Sequence, residues 1–280
     1  MRHRHAFRLP LCLAVALTCA ATAPADLSIY EIQYTVAADG ASPRDGNLVD
    51  CAGGVVTYKW YGGKARIYLQ DPARTDWAAI MVKDWTGALY NGVAPGDWVS
   101  LTNVTVEESR GCTILKYHTD YSSGFKVESS GHAVPAPLVV TPSAMPAPVE
   151  GPPGEWTVAD HAPEKYEHMW LTVEDVTVSA MDLGHAVDNY ALADGGGDCC
   201  WATDYMNADA GADGYHSYVA TGEAFDSITG IFEQYTHLGN GWDHYQVVTT
   251  ETADLVPEPG AITILLAGAS AALARRRRRR

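Results

Sequence analysis

The chain has 280 residues, 47% of them hydrophobic, with a formal net charge of −15: room for two ordinary domains, and too apolar for a disordered chain. Three arginines precede residue 9 and six close the chain, so 10 of the 19 basic residues face all 34 acidic ones, or −24, between Asp26 and Pro259. Between residue 150 and Pro259 only Lys165 opposes twenty acids, so nucleic acid is a poor partner for that half.

The first 25 residues combine a basic start (Arg2, Arg4, Arg8), the apolar run Leu9–Leu17 and the small-residue pattern Ala23-Pro24-Ala25 before Asp26. This predicts a secretory signal peptide over 1–25, the apolar run being too short to span a bilayer. Export removes Cys12 and Cys19 and leaves Cys51, Cys112, Cys199 and Cys200, an even number for an oxidising compartment.

From Asp26 the pattern is all-β. Short alternating or β-branched runs recur at 54–58, 66–70, 78–82, 98–104 and 113–117, separated by turns such as Gly62-Gly63, Asp71-Pro72 and Pro95-Gly96-Asp97. A bridge over 134–153 then carries seven prolines in twenty residues, which a central strand cannot accommodate; it reads as a semi-extended linker packed along a domain surface. The halves on either side repeat. Gly96-Asp97 answers Gly222-Glu223, Trp98, Ser100, Leu101 and Thr102 align with Phe225, Ser227, Ile228 and Thr229, and Tyr68…Asp71 answers Tyr190…Asp194. Strand order and length suit two tandem five-stranded OB-like barrels, over 26–133 and 154–255. The first half, with Ile29-x-Glu31-Ile32-Gln33, Gln70-Asp71-Pro72 and Gly96-Asp97, resembles the OB-fold modules found beside secreted nucleases, although Tyr34 stands where those modules usually have glycine. The second half, with Tyr166-Glu167 and Phe225…Gly230, is similar to the partner module in the same proteins.

No H-E-x-x-H, G-x-S-x-G or phosphate-binding loop is present, no Cys/His spacing suggests zinc, and the mature histidines are scattered, which predicts a non-catalytic protein without a cofactor. The strongest binding candidates are Lys59, Trp60, Tyr61, Lys64 and Arg66, after the first barrel strand, where OB folds hold oligonucleotides or oligosaccharides. Aromatics there stack on sugar or base faces and cations hold acidic groups; packing across a barrel end is the competing use of Trp60 and Tyr61. Cys51 and Cys112, expected on neighbouring strands, predict a disulfide closing about sixty residues and contributing about 4 kcal/mol. For Cys199-Cys200 a vicinal ring, free thiols and an intermolecular bridge all remain open. Asp209 and Asp213 space oxygen ligands before Gly214 loosely as a Ca²⁺ loop does, but the closing bidentate glutamate is missing and a solvated acidic loop is the favoured reading.

The chain closes on Val256-Pro257-Glu258-Pro259, fifteen uncharged residues at 260–274, and six arginines at 275–280. The apolar run reads as a short transmembrane helix, and the arginines hold that end in the cytoplasm with the acidic body outside. Motif, helix and basic end together resemble the PEP-CTERM sorting signal over 256–280. The resemblance implies processing near Val256, Pro257, Glu258 and Pro259 by an exosortase, a membrane-embedded cysteine protease. It also implies delivery to the cell surface or extracellular matrix, beside exopolysaccharide. The function expected is structural or polysaccharide-binding; the alternative is an accessory module presenting nucleic acid or polymer to a secreted hydrolase or nuclease.

Overall fold

Alternation at 54–58 belongs to a strand far longer than the alternating run itself, because two glycines let it serve two neighbours. The computed structural model describes residues 26–181, 183, 189–207 and 219–258. The signal peptide predicted over 1–25, Asp209, Asp213, Pro259, the 260–274 segment and the terminal arginines lie outside them. Among the described residues no helix is long and apolar enough to cross a membrane.

A one-turn helix α1 (Ile29–Gln33) opens the body, fixed by a capping box in which Ser28 and Glu31 satisfy each other's backbone N–H. Strand β1 (Leu48–Tyr61) follows, then β2 (Ala65–Gln70) and β3 (Ala79–Asp84), a short helix α2 (Ala88–Gly92), β4 (Trp98–Ser109), β5 (Cys112–Tyr117) and β6 (Gly124–Ser129). The first half of β1 pairs with β4 and the second with β2, so the order β1-β2-β3-β5-β4 closes on itself. The bend falls at Gly53, with φ +80°: a Cβ there would lie 1.6 Å from Val99 O, so only glycine permits the strands to meet. β3 and β5 run parallel and every other barrel pairing is antiparallel, the OB pattern. The interior is a continuous apolar set including Ile32, Val56, Leu69, Val82, Leu101 and Leu115.

The proline-rich bridge lies along the second unit. Its β7 (Leu138–Val139) pairs in parallel with the first barrel strand of that unit, and β8 (Val149–Glu150) pairs with β9 (Trp156–Thr157). The second barrel uses β10 (Trp170–Ala180), β11 (Tyr190–Ala193), β12 (Cys199–Thr203), β13 (Ala224–His237) and β14 (Trp242–Val248) in the same circuit, again with a parallel β12–β14 contact. β15 (Leu255–Pro257) covers one edge of β13. The two Gly-acid turns are copies down to their hydrogen bonds. Gly96 N donates to Val56 O and Val56 N to Asp97 O, as Gly222 N does to Val178 O and Val178 N to Glu223 O. The extra residue of the second copy sits at Asp226, opposite Asp175 (φ 52°) in an unshifted register, so Phe225 matches buried Val99 rather than Trp98. Leu101 and Ile228 align as expected.

The expected Cys51–Cys112 disulfide is absent: both thiols are free. In the closed circuit β1 neighbours β2 and β4, while β5 lies between β3 and β4. Cys51 points into the first barrel's interior, whereas Cys112 faces outward into a separate apolar cluster. Burial pushes the Cys51 thiol up to about 12 and also raises Cys112 and Cys200. Cys199 is half-buried, the most open of the four. Ellman's reagent on native protein should therefore titrate Cys199 first, at about one thiol per chain, and all four cysteines only in denaturant.

Candidate anion-binding site

Strands β2, β3 and β5 are apolar on both faces, and the second barrel covers part of the outer one. Tyr68, Met81, Cys112 and Ile114 meet Ile231 and Val248 of β13 and β14 and Met206, with Trp60, Trp170 and Tyr205 at the margin. Inside this seam lies Glu233. The Tyr68 hydroxyl donates to it at 2.6 Å, the Tyr205 hydroxyl at 2.5 Å, and the Arg66 guanidinium stands 3.4 Å away and donates to Tyr205 Oη at 2.6 Å. Burial raises the Tyr68 and Tyr205 hydroxyls well above the usual phenol range, Glu233 adding to the shift. Burial works against charge on Arg66, but Tyr205, Tyr68 and Glu233 outweigh it and hold the guanidinium protonated.

Arg66 is also the inner end of a row that emerges from the seam. The β2–β3 register sets Arg66 opposite Lys83, and the β3–β5 register sets Lys83 opposite Lys116. Three cations thus stand side by side on one face. Trp85 lies beside them, 38% exposed, with the ammonium groups of Lys64, Lys116 and Lys83 at 4.2, 5.2 and 5.8 Å from its ring centroid. Directly opposed like charges destabilise a sheet; Arg66 is offset by Glu233 and Lys116 by Glu107 at 3.5 Å, while Lys83 has no ion pair among the described residues. Burial depresses the Lys83 ammonium, and the neighbouring Arg66 deepens the effect. Where the row enters the seam, a cavity of about 260 Å³ is lined by Trp60, Arg66, Lys83, Arg110, Tyr205 and Tyr235. Five of the ten basic residues between Asp26 and Pro259 gather here, so the field is locally positive on a body of −24.

The five residues expected from sequence divide between two faces. Trp60, Lys64 and Arg66 join this patch: Trp60 packs edge-on against Tyr205 at 5.6 Å, and Arg66 lies 4.9 Å from its ring. Lys59 and Tyr61, on the alternate face, turn to α2, where Lys59 donates to Val93 O at 2.6 Å and both meet Tyr90. Residues 58–61 belong to β1, which leaves a loop of only Gly62–Lys64. Lys83, Trp85, Arg110, Lys116, Tyr205 and Tyr235 escaped the sequence reading because four other segments bring them in. The Lys83-x-Trp85 alternation was the local signal.

No protein-family model matches the sequence, and a search of curated proteins finds no match. Among solved structures, the chain is similar to a murine DNA-binding protein bound to double-stranded DNA, at 10% identity, covering 72% of this chain and 90% of that one, with a TM-score of 0.34. The HINb domain of p204 matches at 10% identity over 73% and 93%, with a TM-score of 0.33. Fission yeast Pot1 with single-stranded DNA matches at 12% over 80% and 83%, with a TM-score of 0.32. At these scores the likeness carries no argument, and the assignment of both barrels rests on their strand pairing.

Two outcomes follow from the seam. Glu233→Ala leaves Arg66 without its counter-charge and should destabilise the protein by about 3 kcal/mol in urea denaturation. Replacing both partners, Arg66→Met with Glu233→Leu, should recover most of that. Glu164, buried under a 2.6 Å hydrogen bond donated by the Tyr245 hydroxyl, is pushed up to about 8 by burial, with Glu108 and Asp243 adding to the shift. The folded chain therefore keeps a proton that the unfolded chain releases near 4.5. This group's contribution to stability is complete below that pH, declines as pH rises and is lost above about 8. Thermal unfolding should give a higher Tm near pH 5 than near pH 9, with Glu164→Gln narrowing the gap.

Proposed function

We propose that the chain is an exported, exosortase-processed protein of the cell surface or extracellular matrix, non-catalytic, which holds an acidic polysaccharide on the Arg66–Lys83–Lys116 row. The observation that carries the binding reading is the row itself. Aligned like charges on an otherwise acidic body cost stability, and a bound polyanion removes that cost. Trp85 and the cavity aromatics give sugar faces a surface to stack on. The cavity, about 260 Å³, is smaller than the roughly 300–1,000 Å³ of sites for drug-sized ligands, which suits one ring with its acidic group. An acidic polysaccharide suits the acidic second half better than a nucleic acid strand, because its charges are spaced more widely along the chain. Support for sorting comes from the motif Val256–Pro259 before an apolar segment and arginines, after a signal peptide. β15 adds that the body's folded edge includes the motif's first two residues: Val256 lies opposite Ser227, and Glu258 N donates to Ala224 O at 3.2 Å.

Two measurements test this. The mature protein recovered from its native host should end near Pro259, shown by intact mass; surface-exposed protein retaining all six arginines would overturn the sorting reading. In titrations against uronate oligosaccharides and oligo-dT, wild type should prefer the uronates. Lys83→Ala with Lys116→Ala should weaken that binding about tenfold and flatten its salt dependence. Tighter binding to oligo-dT would favour the nucleic-acid accessory reading instead.

A further inference from the structure

The seam holds a second polar cluster that neither the Glu233 set nor the cationic row uses. Cys112 begins β5 of the first barrel, and Glu167 and His168 sit on the turn before β10 of the second. The Cys112 thiol, a Glu167 carboxylate oxygen and a His168 ring nitrogen all lie within 4.8 Å of one another, and all three residues are buried. Each side chain has one anchored atom. Glu167 Oε2 accepts from Thr113 N at 3.0 Å and from Gln33 Nε2 at 3.4 Å, His168 Nε2 lies 3.2 Å from Thr113 O, and Cys112 Sγ donates to Gln234 O at 3.0 Å. The other atoms do not: Glu167 Oε1 and His168 Nδ1 have no hydrogen-bond partner among the described residues.

Buried polar atoms without partners are uncommon, and a buried carboxylate with no cation is costly. Arg66, the nearby part-buried cation, already faces Glu233. Thiol, imidazole and carboxylate are the three ligand types that zinc takes from proteins. With a thiolate, a carboxylate and a neutral imidazole, a divalent ion brings the set to net zero charge. The anchoring bonds from Thr113 and Gln33 are the outer-shell contacts that orient metal ligands. Cys112 also lines the cavity beside Arg66, which supplies an access path and space for a fourth ligand.

We propose that Cys112, Glu167 and His168 bind one zinc ion across the seam, joining the two barrels. The inference is independent of any polysaccharide on the row. Its ligands lie 55 and 56 positions apart in sequence, which is why no Cys/His spacing announced them.

The test uses the exported protein, stripped with chelator and reloaded with Zn²⁺ or Co²⁺. Folded wild type should take up about one zinc per chain, with Tm rising on addition. The Co²⁺ form should show tetrahedral d–d bands and a thiolate-to-cobalt charge-transfer band in the near ultraviolet. Cys112→Ser should lose that band while Cys199→Ser keeps it, and Glu167→Gln should weaken zinc at least about tenfold. Should Cys112→Ser fail to fold, the wild-type cobalt spectrum and zinc X-ray absorption, with one sulfur in the shell, still decide. Folded wild type that takes up no stoichiometric zinc, or a cobalt form without a thiolate band, would overturn the proposal, as would a band that disappears in Cys199→Ser.

Discussion

One buried carboxylate fixes how the two barrels meet. Glu233 belongs to β13 of the second barrel, and two of its three partners, Tyr68 and Arg66, belong to β2 of the first. The apolar contacts around it, among Met81, Ile114, Ile231 and Val248, supply most of the association energy but little directionality. The 2.6 Å hydrogen bond from Tyr68 and the 3.4 Å contact with Arg66 cross the seam and fix the register of barrel against barrel, while Tyr205, from the second barrel itself, holds the carboxylate in place. A buried ion pair is weak evidence of stability in itself, and its contribution here is geometric. Because Arg66 is shared, the same contact sets where the cationic row begins and where the cavity opens.

That sharing explains which part of an OB surface stays available. The outer face of β2 and β3, where such folds bind polymers, is half consumed by the second barrel. Tyr68 and Met81 are spent on the seam, while Lys83, Trp85 and Lys116 remain beyond its rim. The proposed binding row and the barrel contact therefore share one sheet face, and the boundary between them runs along Arg66.

The strands of the first barrel were legible in sequence because alternation and Gly-acid punctuation are local. All five runs lie within strands or one residue from them, and the repeated Gly96 and Gly222 turns carry matching hydrogen bonds. The seam was announced only indirectly. Arg66-Ile-Tyr-Leu-Gln70 and Ala79-Ile-Met-Val82 are apolar on both faces, which signals two-sided burial without naming the covering partner. The disulfide expectation failed on topology: placing Cys51 beside Cys112 requires β1 next to β5, and the closed circuit separates them. The proposed binding residues were half visible, since Trp60, Lys64 and Arg66 lie within one seven-residue stretch. Lys83, Arg110 and Lys116 are joined to them only by register. The helix at Ile29–Gln33 was encoded in its Ser28-x-x-Glu31 box, a signal overshadowed by the β-rich context.

The two Gly-acid turns match in their hydrogen bonds, yet the two halves are not interchangeable. Tyr68 and Tyr190 occupy answering strands, but the first faces outward to Glu233 while the second packs within its own barrel. Either unit made alone would expose Tyr68, Met81 and Ile114, or Ile231 and Val248, to water. Neither half is thus a portable module: loops can lengthen and the rim can be recharged, but removing one half uncovers the apolar face of the other.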